Sequence, residues 1–158
     1  MNKPQILTLI IERLQADLMI AKDALKASHD AATHAESKAE NKYDTRGLEA
    51  AYLADGQRRR LGEIEAALNS YRNLTVRSQQ DEPIMIGALI SLEQNGMSRW
   101  LFLGPDAAGL RIDDRSVEIL VISQRSPLGQ ALLGRREGDD VEVLVEGRRQ
   151  YYEITAVL

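Results

Sequence analysis

The sequence contains no cysteine. Disulfides and thiolate metal sites are therefore excluded, and a reducing compartment is compatible. Histidine is nearly absent too. The only two, His29 and His34, lie five residues apart among strong helix formers, and without thiolate partners they read as surface side chains rather than zinc ligands. With one Phe and one Trp, any core must be built from Leu, Ile, Val and Ala. There is no basic excess: 20 Lys and Arg stand against 24 Asp and Glu, for a net charge of −4. Phosphate neutralisation needs the opposite balance, so a general nucleic-acid platform and sequence-specific DNA binding are not expected. No apolar run is long enough to span a bilayer, and the first residues lack the pattern of a signal peptide; a soluble cytoplasmic protein without membrane contact is the expectation. Also lacking are a Gly-rich phosphate loop, a nucleophile-elbow serine and a Ser/His/Asp set, so no catalytic residues of its own are expected.

What is present divides near residues 74–83, into 1–75 and 76–158. The first part is rich in Ala, Leu, Glu, Lys, Arg and Gln, all good helix formers, and its only proline, Pro4, suits a first helical turn. Leu7, Ile11, Leu14, Leu18, Ala21, Leu25, Ser28, Ala32, Ala35 and Ala39 alternate at spacings of four and three, which is a heptad seam. A second seam runs through Ala50, Ala54, Gln57, Leu61, Ile64, Leu68 and Tyr71, with residues 41–47 between the two. Two long helices with a short connection predict an antiparallel hairpin, projecting from the rest and reaching on the order of 50 Å. Small seam residues near the turn predict a slender far end, although they would equally suit a fraying tip.

The second part alternates short apolar runs, at 84–92, 100–103, 116–122, 141–145 and 151–157, with turn signals such as Asn95-Gly96 and Gly104-Pro105-Asp106. Residues 127–133 read as a short helix, in which Leu132 and Leu133 are plausible core and Gly134 a plausible cap. Five strands and a helix predict a small, mainly β domain, and the whole an α+β fold. Charge divides as well. Residues 1–75 hold 11 basic and 11 acidic side chains, so residues 76–158 carry the whole net −4.

Two charged constellations stand out. Glu36, Glu40 and Asp44 are spaced i, i+4, i+8, which puts three carboxylates on one face near the turn if the helix persists. Such a cluster could help hold a hard cation such as Mg²⁺, or be a solvated acidic face. Arg58, Arg59 and Arg60 form the only basic run, readable as a contact stripe or as a solvated helix face.

Residues 126–143, Ser-Pro-Leu-Gly-Gln-Ala-Leu-Leu-Gly-Arg-Arg-Glu-Gly-Asp-Asp-Val-Glu-Val, closely resemble the C-terminal signature of the Gre transcription elongation factors. In that signature Ser-Pro is followed by a helical turn, Leu-Gly-Lys, Gly-Asp and a Val-rich strand; here Arg135 replaces the Lys. Tyr151-Tyr152-Glu153-Ile154 resembles the family's closing strand, and Glu40-Asn41 its Glu-Asn pair near the tip. The resemblance implies a C-terminal FKBP-like domain that docks on the rim of the RNA polymerase secondary channel. Here Ser126, Pro127, Leu128, Gly129, Ala131, Leu132 and Gly134 would form the docking residues. It implies further that the hairpin enters the channel, where the tip acids help the polymerase hold Mg²⁺ and cleave a backtracked transcript. The protein would then have no cofactor of its own, sharing Mg²⁺ with the polymerase through Glu40 and Glu36, and could meet nascent RNA only indirectly.

The tip departs from the family pattern. Ser37 stands where the family has Asp, with Glu36 one residue earlier, and Lys42, Tyr43 and Asp44 follow Asn41 where a small residue, an acid and Tyr are usual. One residue turns a helix by about 100°, which redirects a carboxylate. Relatives with altered tips modulate or inhibit the polymerase, so regulation without cleavage is the alternative. Two readings from other classes remain: a prolyl isomerase, poorly equipped with Trp100, Phe102, Tyr151 and Tyr152 as the domain's aromatics, and a structural coiled-coil adaptor.

Overall fold

The computed structural model describes residues 1–37 and 46–158, with the side chains at 32, 35–37, 46 and 47 outside that description. Two long helices open the chain, α1 (Lys3–Ser37) and α2 (Arg46–Arg72). Strands β1 (Leu89–Gln94), β2 (Met97–Gly104), β3 (Arg111–Asp114) and β4 (Val117–Ser123) follow, then helix α3 (Pro127–Leu132) and strands β5 (Asp140–Val145) and β6 (Arg148–Val157). This is the expected α+β order of a helical hairpin followed by a small sheet domain.

The chain forms two compact units. One holds Glu12–Leu68; the other holds Met1–Ile11 together with Asn69–Leu158, so the first and last turns of the helical pair belong with the sheet. In the helical unit the burial follows the heptads: Leu14, Ala21 and Ser28 on α1 and Ala54, Ile64 and Leu68 on α2 are buried, and Leu18, Leu25 and Leu61 are half-buried. In the sheet unit the buried stripe of α1 lies one residue off the expected seam. Ile6 and Ile10 are fully buried, whereas Leu7 and Ile11 are only half-buried. The cause is local: here the helix also faces the sheet, and Gln5 Nε2 donates to Asp114 Oδ1 of β3 at 3.1 Å.

The sheet has six strands in the order β3-β4-β2-β1-β6-β5. The β2–β4 pairing is parallel and the others are antiparallel. Five strands were expected; β3 is the one that the sequence pattern hid. Its four residues carry one apolar side chain, Ile112, and it turns into β4 through Arg115 and Ser116 at φ 51° and 71°. Tight hairpin turns with two left-handed residues usually advertise themselves with Asn-Gly, which is missing here. The first apolar run also differs, because residues 84–88 bend rather than extend. Ile84 exchanges backbone hydrogen bonds with Gly134 and Arg135 after α3, and Gly87 takes φ 92°.

Side chains alternate across the strands and sort the sheet into two faces. Ile90, Leu92, Leu101, Leu103, Val141, Val143, Tyr152 and Ile154 build one face, and Leu132 of α3 closes it. On the opposite face Leu89, Phe102 and Val121 align across β1, β2 and β4 and are fully buried. The Tyr71 ring, itself fully buried at the end of α2, lies 6.4 Å from that of Phe102. Its hydroxyl donates to the Asp106 carbonyl at 2.7 Å, and burial pushes the phenol pKa well above its usual value. Gly104 makes this approach possible, since a Cβ there would stand 1.9 Å from the Tyr71 oxygen.

Lys3 shares the buried stripe of α1. It is 6% exposed, and among the described residues its Nζ has no hydrogen-bond partner. Desolvation, reinforced by Arg77 and opposed by Glu82, lowers its pKa from 10.5 to about 8.

Two predictions follow from these contacts. Gly104→Ala should destabilise the protein by about 2 kcal/mol through overpacking. Placing Tyr71→Phe in the same chain should return part of that loss, measured by urea unfolding; equal stabilities for Gly104→Ala and the unsubstituted chain would refute the close contact. Lys3→Met should stabilise at pH 7 by up to about 3 kcal/mol. Between pH 8 and 10.5 the unfolded chain keeps the Lys3 proton that the folded chain has lost, so the stability of the Lys3 chain should rise with pH there, and the gap to Lys3→Met should close.

Candidate functional site

The segment from Ser126 to Gly134 forms one short, tightly fastened helix. Ser126 is the N-cap of α3: its Oγ accepts from the Gly129 N–H at 3.0 Å and donates to the Ser123 carbonyl at 2.8 Å. Pro127 takes the first helical turn, where its missing N–H costs nothing. Gly129 is required by proximity, because a Cβ on it would lie 2.0 Å from the Ser123 carbonyl oxygen. Leu132 is fully buried in the sheet core, and Leu128 and Ala131 pack against that core half-buried. Leu133 N–H reaches back to the Gly129 carbonyl at 3.1 Å, and Gly134 follows at φ 77°, where a left-handed residue ends a helix.

These contacts sort the residues expected to dock on a partner. Ser126, Gly129, Leu132 and Gly134 are used by the fold itself. Pro127 is exposed and Leu128 and Ala131 are partly so. Leu133, read from sequence as plausible core, is 37% exposed. Leu133 caps the end of α3 at φ −53° and ψ 128°, outside the helix, and its exposure adds it to the surface set.

The tip cannot be described in the same way. Glu36 lies in the last turn of α1 with its side chain undescribed, and Glu40, Asn41, Tyr43 and Asp44 lie outside the described residues. Among the described residues no group of three potential ligands could hold a metal ion, and His29 and His34 are exposed. The basic run is exposed, and two of its three guanidinium groups face acids on the same helix. Arg58 Nη1 meets Asp55 Oδ1 at 2.6 Å and Arg60 Nη1 meets Glu63 Oε2 at 3.6 Å, all exposed. No described helix is long and apolar enough to cross a membrane.

A pair of long helices precedes a mixed sheet, one face of which is closed by a short Ser-capped helix. Residues 79–158 match the family model described as Transcription elongation factor, GreA/GreB, C-term. The chain belongs to the GreA/GreB family. It is 37% identical over 101 residues to the transcription elongation factor GreA of Desulfovibrio desulfuricans, covering 62% of this chain and 58% of that protein. It is 29% identical over 147 residues to the GreA of Nitratidesulfovibrio vulgaris, covering 89% and 88%. Among solved structures, the GreA factor homolog 1 of Thermus thermophilus covers 94% of both chains at 23% identity and a TM-score of 0.39.

The division between scaffold and surface is testable. Ser126→Ala should lower stability by about 1 kcal/mol through loss of the cap, and Gly129→Ala by more, because α3 must move off β4. Leu133→Ser should leave the unfolding midpoint nearly unchanged. A large loss for Leu133→Ser in thermal unfolding would return Leu133 to the core.

Proposed function

We propose that this protein binds bacterial RNA polymerase through its sheet domain, inserts the helical hairpin into the secondary channel and modulates transcript elongation there. Membership of the GreA/GreB family, carried by residues 79–158, is the observation that supports this reading most. The long helices α1 and α2 supply the reach. On this reading the docking surface is the exposed part of the Ser126–Gly134 segment, chiefly Pro127, Leu128, Ala131 and Leu133.

The protein itself contributes no complete active site. Its role is to bring carboxylates to chemistry that the polymerase performs. Glu36, Glu40 and Asp44 offer oxygen donors of the kind Mg²⁺ accepts. A metal held jointly with polymerase acids would stabilise attacking and leaving oxygens in phosphodiester cleavage. Glu40 carries the greatest weight, because Glu40-Asn41 matches the family's pair. Ser37, in the place of the family's Asp, favours a second outcome: a factor that binds and regulates or inhibits without promoting cleavage.

An assay on stalled elongation complexes tests both. Added protein should either shorten backtracked transcripts or alter pausing and initiation. Glu40→Ala should change that effect in either direction, Glu36→Ala should change it less, and polymerase affinity should stay within a few fold for both. If these variants and the double change leave cleavage, pausing and initiation as they were, the tip acids have no part in function. If residues 76–158 fail to bind polymerase core while the hairpin alone binds, the docking assignment is wrong.

A further inference from the structure

The first turn of α1 and the β3–β4 turn border a cavity of about 360 Å³, lined by Met1, Asn2, Gln5, Asp114, Arg115 and Val117. That volume lies at the small end of the range in which proteins bind small molecules. Strand register builds one wall: Asp114 and Val117 are paired across β3 and β4, so their side chains leave the sheet on the same face. The turn between them, left-handed at Arg115 and Ser116, builds the next.

Asp114 is the group that the fold serves least. It is 6% exposed, and its one side-chain hydrogen bond among the described residues comes from Gln5 Nε2, at Oδ1. No cation among those residues lies within ion-pairing distance of it. Buried carboxylates are ordinarily paired, because desolvation penalises their charge. Arg115, next in sequence and exposed, lines the same cavity and pairs with no described carboxylate. The two opposite charges share a cavity without meeting. Two amide groups beside them are also unused. Asn2 Oδ1 accepts from the Gln5 N–H at 3.3 Å and Gln5 Nε2 serves Asp114, but Asn2 Nδ2 and Gln5 Oε1 make no hydrogen bond among the described residues. Met1 and Val117 supply apolar lining.

From this arrangement we infer that the cavity binds a small zwitterion, of which an α-amino acid with an apolar side chain is the simplest. Asp114 and Gln5 Oε1 accept from its ammonium group. Arg115 and Asn2 Nδ2 donate to its carboxylate, and its side chain lies against Met1 and Val117. Hydrogen bonds between charged groups give such a site its selectivity. A simple anion would face the Asp114 carboxylate, and a simple cation would face the Arg115 guanidinium, so either charge alone fits less well than the pair. A metal ion also fits less well, since no group of three potential ligands occurs among the described residues. The inference is independent of the polymerase reading: none of these residues belongs to α3 or to the tip of the hairpin.

The test titrates the full, isotopically labelled chain with L-leucine and follows its backbone amides by NMR. L-leucine should shift the amides of residues 1–5 and 112–118, with a dissociation constant in the millimolar range. It should bind roughly tenfold more tightly than 3-methylbutylamine, which lacks the carboxylate, or 4-methylpentanoate, which lacks the ammonium. Asp114→Asn keeps an acceptor for Gln5; it should weaken leucine binding about tenfold without weakening that of 4-methylpentanoate. Arg115→Asn, a residue that tolerates left-handed backbone, should weaken leucine binding by a similar factor without weakening that of 3-methylbutylamine. The amide spectrum of each variant reports its folding; if Asp114→Asn does not fold, Arg115→Asn and the two analogues decide. The inference is overturned if L-leucine shifts no amides or shifts only others. It is equally overturned if the three compounds bind alike, or if a folded variant binds L-leucine as tightly as the unsubstituted chain.

Discussion

The approach of Tyr71 to β2 governs how the sheet unit is closed. One face of the sheet has α3 to cover it; the other, with Leu89, Phe102 and Val121, has the turns of α1 and α2 that belong to the same unit. Tyr71 joins the two layers by ring contact and by a hydrogen bond whose acceptor is a main-chain carbonyl, so the interaction survives any change of side chain at Asp106. Because the phenol is buried, leaving it unpaired would cost more than the bond contributes. Gly104 is the complement of that demand, and the pair ties the choice of residue in a helix to the choice of residue in a strand.

A similar coupling seats α3. Ser123 offers one carbonyl at the end of β4, and both Ser126 and Gly129 are arranged around it, one by donating to it and the other by lacking a side chain that would strike it. Leu132 then enters the core. The segment therefore has little freedom of sequence on its inner side, while Pro127 and Leu133 on its outer side are not constrained by the fold.

Much of this was legible in the sequence. The heptads from Leu14 to Leu68 gave away the helical pair, because burial in a two-helix unit follows a strict period. The short apolar runs gave away β2, β4, β5 and β6. Three things were hidden. β3 has a single apolar residue, and its turn uses Arg115-Ser116 rather than a recognisable pair. The stripe at the start of α1 slips from Leu7 and Ile11 to Ile6 and Ile10, because what faces it there includes a sheet that no local period encodes. The run from Ile84 bends instead of extending, since Ile84 pairs with Gly134 and Arg135, fifty residues away. The site divides likewise. Gly134 was readable as a cap from residue type, whereas the exposure of Leu133 depends on where the chain leaves the helix, and the demand for Gly129 on how closely α3 approaches Ser123.

The fastening of α3 has a consequence for how proteins of this kind are classified. Ser126, Gly129, Leu132 and Gly134, which make the segment recognisable, are the residues that hold α3 to the sheet. Similarity across them registers inheritance of a scaffold. It carries no information about Glu36, Glu40 or Asp44, which lie far away along the chain and are free to diverge without disturbing a single bond around Ser123. Two proteins with this signature can share an architecture and act in opposite senses, and membership of the group is a statement about ancestry before it is one about activity.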